Sequence, residues 1–153
     1  MADWERPLTD AEKAKIERAR TLAFRLYDGK EVPHRSCGIA MAETFGVPTA
    51  PYQSLRRGGL TGRGPCGVVL GGRLLLGELL GDPDPSGPVT DVLRAAMADY
   101  EARLPERVRQ ATCDSLVAPL GDFHGARRHD HCAALTRETA TLLAEVLIRH
   151  GVL

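Results

Sequence analysis

The chain has 153 residues, 43% of them hydrophobic, and its 20 lysines and arginines balance 20 aspartates and glutamates. That length suits one domain with enough apolar surface for a real core, and a net charge of zero gives no electrostatic basis for binding nucleic acid or a membrane surface. The longest apolar run, Val68 to Leu80, is interrupted by Arg73 and Glu78 and is too short to span a bilayer.

Met1 to Arg6 has no apolar stretch preceded by basic residues, so no signal peptide is expected and the chain reads as cytoplasmic. In that compartment its four cysteines stay reduced, which points to metal binding or redox chemistry rather than structural disulfides.

Thr9-x-x-Glu12 is a capping box. Ile16, Ala19, Ala23, Leu26 and Tyr27 follow at helical spacing until Asp28-Gly29 stops the helix. After a short loop with Pro33 and His34, the residues Cys37, Ala40, Met41 and Thr44 fall on one side of a short helix ending at Gly46. Val47 to Pro65 reads as loop, with a turn or two of helix around Gln53 to Arg57. Pro65 suits a first helical turn, and Val68, Val69, Leu70, Leu74, Leu75, Leu76, Leu79 and Leu80 then predict a helix that is apolar on most sides, hence central, ending at Gly81. Asp82 to Pro88 is a proline-rich connector.

Val89, Val92, Leu93, Ala96, Met97, Tyr100 and Leu104 predict an amphipathic helix closed by Pro105. Thr112 to Val117 reads as one or two turns. Gly121 to Asp130 reads as a polar loop holding His124, Arg127, Arg128 and His129, and a last helix runs from about His131 to Arg149. No stretch sustains the period-two alternation of a strand. The expectation is an all-α, single-domain bundle of five or six helices. Residues 1–35 form an amphipathic helix and linker, and residues 36–153 form a four-cysteine helical part.

Cys37, Cys66, Cys113 and Cys132 are each expected at or near a helix N-terminus, with Ser36, Pro65, Thr112 and Asp130 beside them as cap or first-turn residues. A helix N-terminus carries partial positive charge and unsatisfied N–H groups, which favour a thiolate. Arg35, Arg63, Arg127 and Arg128 lie within a few residues of one or another cysteine. If these ends converge they form a pocket for a multiply negative centre, such as an iron–sulfur cluster held by four thiolates. Buried structural cysteine is the competing reading for any one of them. No C-x-x-C pair occurs, against a zinc ribbon, a thioredoxin-type dithiol and covalent haem. His34, His124, His129 and His131 are candidates to replace a thiolate, relay protons or hydrogen-bond to sulfur, set against a solvated basic loop. The glycine-rich stretch Gly59 to Cys66 lacks the Gly-Lys-Ser/Thr ending of a phosphate-binding loop.

Cys37 opening a helix, the glycine-rich run into Pro65-Cys66-Gly67-Val68-Val69-Leu70-Gly71, and Cys113 and Cys132 well downstream resemble the C-GCAxxG-C-C family of redox-active four-cysteine proteins. That family is related to the non-haem part of split-Soret cytochromes. The resemblance covers Ser36 to Leu147; with the middle motif aligned as Cys-Gly-Ala-x-x-Gly, Cys66, Gly67 and Gly71 match and Val68 replaces the alanine. It implies a small helical protein whose four cysteines bind an iron–sulfur centre or carry out thiol redox chemistry.

The expected function is therefore a redox protein holding a [2Fe–2S] cluster through Cys37, Cys66, Cys113 and Cys132 and exchanging electrons with a partner protein. Gly64, Gly67 and Gly71 would let backbone approach the sulfide atoms. A metal-free thiol/disulfide oxidoreductase and a zinc-stabilised helical adaptor are the alternatives. The sequence leaves homodimerisation open.

Overall fold

The computed structural model describes residues 2–153. Among them the chain folds into seven α-helices and two short 3-10 segments: α1 (Asp10–Asp28), α2 (Cys37–Thr44), α3 (Gly67–Leu80), α4 (Asp91–Arg103), α5 (Glu106–Arg109), α6 (Cys113–Val117) and α7 (Ala126–Arg149), with 3-10 turns at Ala50–Leu55 and Ala118–Leu120. The all-α expectation holds, but the helix number exceeds the five or six expected. The addition is α5, a single turn that resumes directly after Pro105 closes α4. No helix among the described residues is long and apolar enough to cross a membrane.

The ends of α1 follow its sequence signals. The Thr9 hydroxyl accepts the Glu12 amide at 3.1 Å and the Glu12 carboxylate accepts the Thr9 amide at 2.9 Å, while Gly29 closes the helix at φ 75°. α1 lies along α7, α2 crosses α3, and α3 and α4 both pack on α7. Met41, Leu75, Leu76, Tyr100, Leu143, Val146 and Leu147 are fully buried where these helices meet. The central position of α3 follows from its composition. Val68, Val69, Leu75, Leu76 and Leu80 are buried while Leu74, Gly77, Glu78 and Leu79 face solvent, and Gly71 allows α2 to cross closely, because a Cβ there would lie 3.4 Å from the Cα of Gly38. The buried Tyr100 hydroxyl donates to the Val69 carbonyl at 3.0 Å, fixing α4 against the first turn of α3.

Two boundaries differ from the sequence reading. α3 begins at Gly67 with Cys66 as its N-cap, so Pro65 precedes the helix rather than opening it. α7 begins at Ala126, so Arg127, Arg128, His129 and Asp130 are helical rather than in a loop. The Ala-Arg-Arg-His-Asp-His segment carries no apolar stripe. It extends an amphipathic helix already nucleated by its packing on α1, and extension costs far less than nucleation.

Candidate functional site

The site is assembled by a glycine-rich loop. From Arg56 to Gly64 the chain coils on itself, with Arg57, Gly58, Gly59, Leu60 and Gly62 all at positive φ. The Leu60, Gly62 and Gly64 amides donate to the carbonyls of Arg56, Arg57 and Gly58 at 2.7, 2.8 and 3.0 Å. The outer edge of this coil binds the start of α6. The Cys113 amide donates to the Gly64 carbonyl at 2.9 Å and the Asp114 amide to the Gly62 carbonyl at 2.8 Å. Gly58 permits the contact: at φ 60° it is in the left-handed region, and a Cβ there would stand 2.8 Å from the Cβ of Cys113. The loop therefore places Cys113 beside Cys66, although 46 residues of sequence lie between them.

Cys37 arrives from the other side as the first residue of α2. Its sulfur rests against the backbone of α3, where a Cβ on Gly67 would lie 2.8 Å from Sγ. Cys132 projects from within α7, where it joins Tyr27, Leu26 and Ala40 in a small apolar cluster. It lies in the second turn, so the expectation of a helix N-terminus with Asp130 as cap fails for this cysteine: the helix starts earlier than its apolar pattern does. Cys66 and Cys113 retain their places at helix starts, and Thr112 caps α6 by accepting the Ser115 amide at 3.1 Å. Ser36 makes no cap bond.

Cys37, Cys66, Cys113 and Cys132 all line one small cavity of about 30 Å³, together with Val68, Leu116, Val117, His131, Leu135 and Thr136. This is room for a water or two. Cys37, Cys113, Val117 and Cys132 form the wall between it and an open cleft of about 470 Å³, which Cys66 does not reach. All four cysteines are unpaired thiols.

Burial dominates their ionisation. It pushes the Cys37 and Cys66 thiols upward, reinforced by the neighbouring cysteines and opposed only in part by the amides of Gly38 for Cys37 and of Val68 and Val69 for Cys66. Cys113 rises from 9.0 to about 11, again from burial first and then from Cys66, Cys132 and Asp114, against the opposing charge of Arg57. The expectation that helix N-termini would favour the thiolates is thus reversed for these three. Amide dipoles are present, but desolvation of three sulfurs packed together outweighs them.

The basic neighbours also sort differently from the sequence reading. Arg63 and Arg127 are exposed and line neither cavity. Arg35 pairs with Glu43 at 3.1 Å. Of the four, only Arg128 faces the site, donating to the Tyr27 hydroxyl and the Phe123 carbonyl. Arg56 and Arg57 line the cleft instead.

The histidines divide as well. His34 and His124 line the cleft, and His131 lines the inner cavity. His129 turns to Asp28 at 3.1 Å and lines neither. Burial lowers the His131 pKa, and the charge of Arg107 adds to this; its Nε2 meets the Arg107 guanidinium at 3.2 Å, while its Nδ1 is buried with no partner. The Ser36 hydroxyl, at the edge of the cleft, is likewise buried and unpartnered. The Gly64 amide is engaged by the Gly58 carbonyl and its carbonyl by the Cys113 amide, so it shapes the site without offering a donor to it.

A family model described as "Putative redox-active protein (C_GCAxxG_C_C)" matches residues 35–146. The chain belongs to that family. No curated protein and no solved structure matches it. The C_GCAxxG_C_C match takes in all four cysteines and leaves α1 outside. Its name spells the middle motif Gly-Cys-Ala-x-x-Gly, which corrects the alignment given above. On that spelling Pro65 stands at the first glycine, Gly67 at the alanine and Leu70 at the last glycine, with Gly71 one residue beyond. The smaller residue at the alanine position is the one against which the Cys37 sulfur packs.

Proposed function

We propose that Cys37, Cys66, Cys113 and Cys132 hold a [2Fe–2S] cluster and that the protein transfers electrons to or from a partner protein. The observation that carries this reading is the convergence of four cysteines, at or near the starts of four separate helices, on one cavity. Membership of a redox-active family supports it.

The donor set fits the group. Four soft thiolates are the usual ligands of such a cluster, which supplies a one-electron couple when bound. The His131 Nδ1 and the Ser36 Oγ, buried without partners at its border, are available to hydrogen-bond to sulfur. The cavity is smaller than a cluster, and the thin wall of Cys37, Cys113, Val117 and Cys132 is the side on which it opens into larger space. Among the described residues, no three His, Cys, Asp or Glu side chains are set around a single point where a metal ion would sit. That argues against the zinc alternative, which needs three or four donors on one centre, and less against a binuclear cluster, in which each iron takes two thiolates. The raised thiols weigh alike on the cluster and on the thiol/disulfide alternative, because the thiolate is both the metal ligand and the attacking species; iron content separates the two.

The test is a set of single Cys→Ser variants at the four positions. Each is expected to lose most of the bound iron, since a serine oxygen is a poor ligand for it. Full iron content in two of the four variants would overturn the four-thiolate site.

A further inference from the structure

The open cleft over the cysteines is lined by Arg56, Arg57, Arg128, His34 and His124, and by no carboxylate. In a chain of zero net charge this is a local departure. The acids nearest in sequence to these elements, Asp28, Asp114 and Asp122, are all outside the lining, and Asp28 is already paired with His129 and Lys30. Elsewhere Arg6, Arg25, Arg35, Arg73, Arg103 and Arg149 each meet a carboxylate. Arg56 and Arg57 meet none, as is also true of exposed Arg63, Arg94 and Arg127; what sets the cleft apart is that its cations line one concavity with no carboxylate.

Two guanidiniums share one aromatic ring here. Arg57 stands 4.8 Å and Arg128 4.4 Å from the centre of Phe123. Both cations line the cleft, and no carboxylate in its lining offsets their charge. Arg57 is moreover held at φ 48°, a strained conformation for a residue with a side chain, and such strain is retained where the surrounding structure requires it. Arg128 is fixed by its bonds to Tyr27 and Phe123. The result is a concave, positively charged pocket in the size range of small-molecule sites, with the thiols at its floor.

We propose that this cleft binds a small molecule carrying a carboxylate or phosphate group, held by Arg57 and Arg128 with an adjoining apolar or planar part against Phe123. Guanidinium forks match the geometry of either oxyanion. The proposal deepens the cluster reading by naming the ligand class admitted to the same centre, but the binding itself needs no iron.

The experiment is a titration of the full-length protein, with and without iron, using sodium succinate and inorganic phosphate in separate arms. Sodium chloride of equal ionic strength is the control, and the readout is the arginine side-chain N–H signals by NMR. Saturable shifts of the Arg57 and Arg128 signals are expected, and the arm with the tighter binding identifies carboxylate or phosphate. Arg57→Gln should weaken binding about tenfold, the usual cost of one charge-assisted contact, whereas Arg63→Gln, outside the cleft, should not. Shifts that follow ionic strength alone, no saturable shift in either arm, or unchanged binding in Arg57→Gln would each overturn the proposal. Absence of iron would count against the cluster and leave this result untouched.

Discussion

Adding one methyl group at Gly67 tests how closely α3 approaches Cys37. A Cβ there would stand 2.7 Å from the Leu55 carbonyl oxygen and 2.8 Å from the Cys37 sulfur, both closer than real Cβ contacts. The carbonyl belongs to backbone and cannot swing aside, so the thiol and the start of α2 must move. Overpacking of this kind costs about 1–3 kcal/mol. Replacing glycine by alanine returns up to about 1 kcal/mol in a helix interior and less at a first helical position such as this. The net expectation for Gly67→Ala is a loss of roughly 1–2 kcal/mol, or a melting temperature about 3–6 °C lower for a chain of this size. Gly77 supplies the internal control. It lies in the same helix, exposed, with nothing within 4 Å of an added Cβ. Gly77→Ala should therefore raise the melting temperature by about 2–3 °C. Thermal melts of the two variants beside the parent protein, without metal, read both signs, and iodoacetamide labelling of Cys37 should be faster in Gly67→Ala. If Gly67→Ala is as stable as Gly77→Ala and labels no faster, the packing of Cys37 on α3 is not as described.

Metal-free protein should weaken in alkali. Cys37, Cys66 and Cys113 have folded-state pKa values raised above the ordinary 9.0, so the unfolded chain gives up protons first and stability falls as pH rises from about 9.0 through the folded value, about 11 for Cys113. Each thiol contributes up to about 1.4 kcal/mol per pH unit in that window, which urea melts between pH 7 and 10 would reveal; a flat profile would contradict the burial of the three sulfurs. Tyr100→Phe removes the donor to the Val69 carbonyl and should cost about 1–2 kcal/mol by chemical denaturation. In the iron-loaded protein, Arg57→Gln should lower the reduction potential by on the order of tens of millivolts, since it removes a cation beside a centre that gains negative charge. Arg63→Gln, exposed and outside both cavities, should leave it unchanged. Voltammetry of the two variants separates the cleft arginine from the surface one.

Much of this fold was legible because its signals are local. The Thr9–Glu12 capping box, the Gly29 stop and the 3.6-residue stripes of α1 and α4 depend on neighbours a few residues apart. The start of α7 was not legible, because Ala126 to His131 is polar on every side and helical only by extension from the packed part. The four cysteines were legible as a set from residue type and from the family pattern. Their ionisation was not, since sequence places the favourable helix termini but not the burial that outweighs them. The cationic neighbours misled for the same reason: Arg63 is three residues from Cys66 yet turns outward, whereas Arg57 is nine residues away and is folded back by the loop. Only the positive φ of Arg57, Gly58, Gly59, Leu60 and Gly62 makes that return, and it is a property of the closed coil. Tyr27 was visible as one of the apolar positions of α1, but its place beside Arg128 and Cys132 is a long-range contact with no sequence signature.

The most direct test of the central claim is the iron and acid-labile sulfide content of the full-length protein purified without oxygen. A [2Fe–2S] cluster on Cys37, Cys66, Cys113 and Cys132 predicts a brown protein with about two iron and two sulfide per chain. A colourless protein without iron and sulfide after anaerobic purification and reconstitution, or one holding a single zinc, would contradict it.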